Sequence, residues 1–202
     1  MKLMGTSTSP YVRKVRIVIA EKRVACDLVV ARPSSAEVGD TNPLGKIPCL
    51  IRDDGRVLFD SPVLVEFIDG LATQPRLIPL AFEDRIAVKL WEALADGIVD
   101  ATVAISHEDR LPAAQRKGAD WLAKQQKKID NGLAAMERDL GAGAFCHGET
   151  FTLADAACGT ALGYLDYALP QMEWRSRFPN LARLSARLAE RESFKTTSHP
   201  AA

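Results

Sequence analysis

The sequence predicts an α/β domain followed by an all-helical domain. Short strand and helix patterns alternate over about the first 80 residues, and only helical patterns follow. Residues 72–79, between the two parts, contain two prolines and are typical of a linker. The predicted domains are residues 1–77 and residues 84–202, and a chain of 202 residues is long enough for both to bury a hydrophobic core.

The first predicted elements are a short strand and a helix. Residues 2–5 have a strand pattern, and a polar stretch rich in hydroxyl groups follows them. Pro10 fits the first turn of a helix, where the N–H that proline lacks would have no partner in any case. Ser9 is then the natural N-cap, and valine and isoleucine recur at helical spacing up to about Lys22.

A second strand, a hairpin and two more helices complete the predicted α/β domain. Residues 27–31 predict the second strand, and a short helix is expected within residues 33–40. Residues 49–59 hold two strand patterns around Asp-Asp-Gly, which is a β-hairpin signal. A further helix is predicted with Ser61 as its cap and Pro62 at its first helical position. The predicted order is strand, helix, strand, helix, strand, strand, helix.

The second half of the chain predicts an all-α helical bundle domain. Helical patterns cover residues 85–106, 113–140, 153–168 and 181–190. Thr152 and Asp155 form a capping box at the start of the third of these helices.

Composition excludes several classes of function. The 26 basic and 26 acidic side chains cancel, so we expect no binding to nucleic acid or to anionic membranes. The sequence contains no apolar run of about 18 residues and no signal-peptide pattern. The four cysteines form no CxxC pair, and neither they nor the three histidines have metal-ligand spacing. We therefore expect a soluble cytoplasmic protein with free thiols and no metal site.

The run Asn-Pro-Leu-Gly-Lys-Ile-Pro, which ends at Pro48, is the most informative part of the chain. Proline is tolerated in a strand only at its first position or on an edge, so Pro48 marks a strand start. The Ile47–Pro48 bond is a good candidate for a cis bond, which would leave the N–H and C=O of Ile47 free for a ligand. A short peptide could then dock as an additional strand. Taken alone, this run favours the alternative of a tight loop without a ligand.

Two predicted helix starts can complete such a site. A helix N-terminus at Ser61 attracts a carboxylate, and the adjacent Asp60 can accept a hydrogen bond from an ammonium group. An α-amino acid head group fits this pair, although an ordinary N-cap explains the same residues. The Ser9 hydroxyl lies at the positive end of a helix dipole, where it can donate a hydrogen bond to a thiolate. The neighbouring hydroxyl groups compete for that role: Thr6, Ser7 and Thr8.

Taken together, these features resemble the bacterial cytosolic glutathione transferases. The resemblance rests on Ser-Pro-Tyr at residues 9–11, on NPLGKIP, on FDSPVLVEFID and on FTLADAA in the helical half. It extends over residues 1–195. It implies a thioredoxin-like fold for the α/β domain, glutathione as co-substrate and a homodimer.

The resemblance also implies roles for individual residues. Ser9 matches the residue that activates the glutathione sulfur in serine-type members. Ile47 precedes the predicted cis-proline Pro48 and matches the residue whose backbone pairs with the cysteinyl part of glutathione. Asp60 and Ser61 match the acidic residue and the serine that hold the γ-glutamyl end, although the family more often has Glu at the first position.

The remaining implied roles concern the glycyl end of glutathione and the second substrate. Lys46 lies where members place a polar or basic group near the glycyl carboxylate. Tyr11 is close enough to Ser9 to border the pocket of the second substrate, which Tyr164 and Tyr167 can also line. The expected reaction is attack of the glutathione thiolate on a small hydrophobic electrophile, as in detoxification. A glutathione-dependent isomerase or peroxidase, and a non-catalytic binding protein of the same fold, are the alternatives.

Overall fold

The computed structural model describes residues 1–200, so the last two residues of the predicted helical domain, 201 and 202, lie outside the described part. The α/β half consists of β1 (Lys2–Gly5), α1 (Pro10–Lys22), β2 (Asp27–Val30), α2 (Ala36–Thr41), β3 (Cys49–Ile51), β4 (Val57–Leu58) and α3 (Ser61–Leu71). The helical half consists of α4 (Phe82–Asp109), α5 (Ala119–Leu140), α6 (Leu153–Ala168), α7 (Trp174–Arg177), α8 (Pro179–Ala189) and α9 (Glu192–Lys195). The predicted fold, a thioredoxin-like domain followed by a helical domain, is confirmed.

The four strands form one mixed sheet in the order β2-β1-β3-β4. Strand β1 is parallel to β2 and antiparallel to β3, where Met4 lies opposite Cys49. Strands β3 and β4 form the predicted hairpin, in which Leu50 lies opposite Leu58 and Gly55 takes a φ of 81° in the turn. This register brings three segments to one edge of the sheet: the chain after β1, the chain before β3 and the chain after β4.

Helix α1 packs between the sheet and the helical half. It contacts α3 on the α/β side and α6 and α9 on the helical side. Gly5 makes the close return of α1 over β1 possible, because a Cβ on Gly5 would lie 2.4 Å from Cγ2 of Val12. Buried residues of both halves, such as Val15 and Leu162, belong to one hydrophobic core.

The linker between the halves is anchored by buried hydrogen bonds. Asp69 on α3 accepts hydrogen bonds from the backbone N–H groups of Leu77, at 2.9 Å, and Ile78, at 3.2 Å. The same carboxylate pairs with the Lys22 ammonium at 2.9 Å. The N–H of Leu153 at the start of α6 donates to the C=O of Leu77 at 2.9 Å.

Several predicted helix boundaries were wrong. Helix α4 is longer than residues 85–106, and the predicted helix over 113–140 is divided into a short 3-10 turn at Ala113–Gln115 and helix α5. The division lies at Arg116 and Gly118, whose backbones are extended. Arg116 is fixed there because its guanidinium donates hydrogen bonds to the C=O groups of Leu111 and Asp109. The short helices α7 and α9 were not predicted.

The capping box at the start of α6 has the predicted geometry. Asp155 accepts hydrogen bonds from the backbone N–H of Thr152 and from that of Cys146, both at 2.8 Å. Among residues 1–200, no helix is both long and apolar enough to cross a membrane.

Candidate functional site

The segment after β1 places Ser9 at the N-terminus of α1, as predicted. Ser9 is half-buried and takes the extended N-cap conformation, with φ −77° and ψ 124°. Its Oγ accepts a hydrogen bond from the N–H of Val12 at 3.3 Å, so it can still donate its own proton to a ligand. Of its neighbours, Thr6 and Thr8 bond each other through their hydroxyl oxygens at 3.2 Å, and Ser7 is exposed.

The segment before β3 holds the predicted cis bond between Ile47 and Pro48. Asn42, only 3% exposed, shapes this loop. Its side chain donates to the C=O of Lys46 and accepts from the N–H of Leu44, both at 3.0 Å. No hydrogen bond from the described residues engages the N–H or C=O of Ile47. The loop therefore presents a free backbone donor and acceptor, with the exposed Lys46 beside them.

The segment after β4 brings Asp60 and Ser61 to the N-terminus of α3. The N-cap is Asp60, so the prediction that Ser61 caps this helix was wrong by one residue. The reason is that the C=O of Asp60 already accepts the first helical hydrogen bond, from the N–H of Leu64 at 2.9 Å. The Asp60 carboxylate also accepts from the N–H of Ser61.

Ser61 has an unusual environment for a hydroxyl group. The residue is 1% exposed, and its Oγ has no hydrogen-bond partner among the described residues. A buried polar atom without a partner destabilises the folded protein by about 1–3 kcal/mol, so such atoms are rare unless a ligand or a water bonds them. Ser61 therefore has the features of a residue that binds a ligand.

Of the three tyrosines, Tyr11 lies on α1, and Tyr164 and Tyr167 lie on α6, the helix that packs against α1. The hydroxyl of Tyr11 donates to Asp100 on α4, and burial, followed by this hydrogen bond, raises the pKa of Tyr11. The rings of Tyr164 and Tyr167 on α6 are neighbours, with centroids 6.1 Å apart and an interplanar angle of 36°. Burial also raises the pKa of Tyr164. Both predicted pocket tyrosines of α6 therefore come close to each other, on the helix that packs against α1.

Sequence reasoning missed two residues near these segments. Asn42 holds the Ile47 loop, and the ring of His199 stacks on Tyr167 with centroids 4.7 Å apart. Asn42 is the first residue of the NPLGKIP run, but nothing in that run indicates that its side chain holds the loop, and His199 belongs to no local motif. Among the described residues, no group of three or more His, Cys, Asp or Glu side chains could hold a metal ion.

Two cavities lie away from these residues. One, of about 720 Å³, is formed by residues of α4, α5 and α7, and the other, of about 780 Å³, is formed by residues of α1 and α9 together with Gln74 and Pro75. Neither is lined by a residue that the sequence places in the site.

The molecule joins a thioredoxin-like sheet to a helical domain. One edge of the sheet carries a cis-proline loop and two helix N-termini. This combination defines a two-domain class of small-ligand proteins. The family model for the glutathione S-transferase N-terminal domain matches residues 3–76, and that for the C-terminal domain matches residues 119–187. The chain is also 37% identical to the uncharacterized GST-like protein YibF of Escherichia coli K12 over 204 residues, which cover 100% of both chains. The chain belongs to the glutathione S-transferase family.

Two other similar proteins have names that state different activities, a transferase and an isomerase. A glutathione S-transferase from Methylobacillus flagellatus KT, crystallised with glutathione bound, is 45% identical. It aligns with a TM-score of 0.94 over 98% of this chain and 99% of its own. The probable maleylacetoacetate isomerase 1 of Drosophila melanogaster is 26% identical over 205 residues, which cover 93% of this chain and 76% of its own.

Proposed function

We propose that the protein is a glutathione transferase that binds glutathione at the sheet edge formed by the three segments described above. The observation that carries this proposal is the buried, unpartnered hydroxyl of Ser61 beside the Asp60 carboxylate. The Ser61 hydroxyl can bond the carboxylate of an α-amino acid head group, and the Asp60 carboxylate can bond its ammonium. The γ-glutamyl end of glutathione carries such a head group. The family relative crystallised with glutathione bound supports the choice of ligand.

The other polar groups at this edge fit the remainder of the tripeptide. The free N–H and C=O of Ile47 can pair with the backbone of the cysteinyl part, as an added strand would. The exposed ammonium of Lys46 can attract the glycyl carboxylate. The γ-glutamyl carboxylate then lies at the N-terminus of α3, where the helix dipole and the Ser61 hydroxyl stabilise it.

Ser9 acts on the sulfur in this proposal. A free thiol has a pKa of about 8.5, and each unit by which the site lowers it represents about 1.4 kcal/mol of thiolate stabilisation. The Ser9 hydroxyl donates a hydrogen bond to the thiolate, and the N-terminus of α1 adds its partial positive charge. The sulfur then forms a bond to the electrophilic carbon, and a leaving group departs with its electron pair or the electrons move into an acceptor group.

The second substrate binds against the tyrosines between the two halves. Tyr11, Tyr164 and Tyr167 offer apolar ring surfaces, which favours a small hydrophobic electrophile. The class of reaction is therefore conjugation, as in the detoxification of reactive compounds.

Ser9→Ala tests the catalytic part of this proposal. We expect conjugation of 1-chloro-2,4-dinitrobenzene to fall by roughly 10- to 100-fold, because a hydrogen bond to a charged group contributes about 1.5–3 kcal/mol. The pKa of the bound thiol, followed as thiolate absorbance, should rise in parallel. Ser7→Ala is the matched control and should keep full activity. Undiminished activity of Ser9→Ala, or a loss with Ser7→Ala instead, would contradict the role of Ser9.

The isomerase is the second candidate function, since one relative is named as a probable maleylacetoacetate isomerase. An isomerase regenerates free glutathione, a peroxidase converts it to its disulfide, and a transferase leaves a stable thioether. Mass spectrometry of the glutathione products therefore separates the three reactions. Glutathione binding without any of these products would favour a non-catalytic binding protein.

The assembly and the compartment belong to the same proposal. An exposed apolar stripe on α4, made by Phe82, Ile86 and Leu90, supports a homodimer. All four cysteines are free thiols, which is expected in the reducing cytoplasm.

A further inference from the structure

A cavity of about 720 Å³ lies at one end of the helical half, apart from the proposed glutathione site. Helix α4 ends there at Asp109, α5 begins there at Ala119, and Leu169 follows the end of α6. Neither the tyrosines of the site nor the residues of the three sheet-edge segments line it. Its volume lies within the range of about 300–1,000 Å³ that is usual for sites of small organic molecules.

Most of the surface inside this cavity is apolar. Ile105 and Leu169 are 4% and 3% exposed, and the half-buried Met172 lines the same space. Leu122, which also lines it, is 43% exposed. The amide nitrogen of Gln126 donates only to the thioether sulfur of Met172, at 3.6 Å, which is a weak acceptor. The cavity therefore offers apolar surface that a bound ligand removes from water, with one polar side chain that is poorly satisfied.

Two acidic residues line the cavity and have carboxylates without a partner. The backbone C=O of Asp109 accepts a hydrogen bond from Arg116 at 2.7 Å, but its carboxylate enters no ion pair or hydrogen bond of residues 1–200. The carboxylate of Glu173 is likewise free in the described part of the chain, although its backbone C=O accepts from Ser176 at 3.0 Å. Asp109 is the last residue of α4, where the negative end of the helix dipole disfavours an acidic side chain. The helix therefore gains nothing from this charge, whereas a bound cation would.

The cations around the cavity are engaged elsewhere. Arg177, which lines it, pairs with Asp130 at 2.8 Å. The Arg116 guanidinium donates to two backbone C=O groups, and the Lys117 ammonium lies over the ring of Trp121, 4.4 Å from its centroid. The positive N-terminus of α5 offsets the negative C-terminus of only one of the two helices that end here, α4 and α6. The excess charge of the cavity is therefore negative.

We propose that this cavity binds a hydrophobic organic cation, such as an aromatic ammonium compound, independently of glutathione. The apolar part of the ligand packs on the apolar lining, and its ammonium group pairs with the carboxylates of Asp109 and Glu173. A neutral ligand would leave both carboxylates unpaired, and an anion would be repelled by them. The cavity shares no residue with the proposed glutathione site, so this inference does not depend on the proposed function.

The test uses three naphthalene compounds of similar shape and different charge: 1-naphthylmethylammonium, 1-naphthylmethanol and 1-naphthylacetate. In equilibrium dialysis against the full chain, the ammonium compound should bind most tightly and the acetate least, and added NaCl should weaken only the ammonium compound. Combining Asp109→Asn with Glu173→Gln should lower the affinity for the ammonium compound about fivefold or more and leave that for the alcohol unchanged. Ala123→Trp places a large side chain at an exposed lining position and should block both.

Glu83→Gln is the matched control, because Glu83 is an exposed acidic residue in the first turn of α4, at the opposite end of that helix. It should keep the affinities of the unaltered protein. Equal binding of the three compounds, no binding of the ammonium compound, its displacement by glutathione, or an affinity that survives Ala123→Trp or the double substitution overturns the cation site. Glutathione binding is titrated separately in the same proteins, so the failure of this inference and that of the proposed function are distinguishable.

Discussion

Ser61 provides a hydroxyl group that the fold itself does not use. Its Oγ is buried at the N-terminus of α3 and has no partner among the described residues. We therefore expect Ser61→Ala to weaken glutathione binding about tenfold or more, because a hydrogen bond to a charged group contributes about 1.5–3 kcal/mol. The free energy of unfolding should stay the same or rise slightly, since no intramolecular hydrogen bond is lost. Calorimetric titration and urea denaturation measure the two quantities.

Ser35→Ala is the matched control for Ser61→Ala. Ser35 caps α2 and accepts from the N–H of Val38 at 3.4 Å, so its loss should lower the stability by about 1 kcal/mol. Its glutathione affinity should be unchanged. A Ser61→Ala protein that loses stability and keeps its affinity would show that the hydroxyl serves the fold rather than a ligand.

The individual site residues differ in how far the sequence predicts them. Ser9 and Asp60 precede helices that have a proline in their first turn, and this local pattern is visible in the sequence. Pro48 marks its own strand start in the same way. The contact between His199 and Tyr167 was not predicted, because only the folded chain brings these two rings together.

Helices α1 and α4 are joined by a buried cluster of charges. Lys14, 1% exposed, pairs with Glu92 at 2.9 Å and with Asp96 at 2.7 Å. Burial raises the pKa of Asp96, although the charge of Lys14 opposes this shift. The cluster therefore depends on the lysine, since without it two carboxylates would lie close together where water is largely excluded.

Lys14→Met should lower the free energy of unfolding by about 3–5 kcal/mol, because Asp96 loses its cation and the buried Glu92 keeps only its pair with Lys89. Lys2→Met, at an exposed position, should have little effect. Combining Lys14→Met with Glu92→Leu should recover part of the loss, since fewer buried charges remain unpaired. Urea denaturation of the unaltered protein, of Lys14→Met and Glu92→Leu alone, of the double variant and of the Lys2→Met control measures these differences. Additive effects of the two substitutions would contradict the coupling.

The elements themselves are predictable to different degrees. The seven elements of the α/β half follow from short-range signals such as caps, turn residues and apolar spacing. The helical half was less predictable at its boundaries. The break before α5 depends on hydrogen bonds from Arg116 to residues of the preceding turn, and helical spacing alone does not reveal it.

At the scale of the whole molecule, the two predicted domains share more than a linker. The change of composition near residue 75 indicates two halves, but Leu77 and Ile78 are 1% and 2% exposed and belong to the common core. A proline-containing segment in a sequence is expected on the surface. The burial of Leu77 and Ile78 follows from the Asp69 hydrogen bonds and the contact with α6, which join residues distant in sequence.

The outer surface of α4 leads to the last prediction, which concerns assembly. Phe82, Ile86 and Leu90 are spaced four residues apart, so they form one stripe, and they are 70%, 49% and 67% exposed. Exposed apolar patches of this kind favour a partner surface, and a twofold axis lets the same stripe serve both chains. If the protein forms the proposed homodimer through this stripe, Leu90→Glu should convert it to monomers in analytical ultracentrifugation, because the substitution places two like charges opposite each other. Val30→Glu, at a 77% exposed apolar position on β2, is the matched control and should remain a dimer. A monomeric unaltered protein, or a dimer that survives Leu90→Glu, would exclude this stripe as the interface.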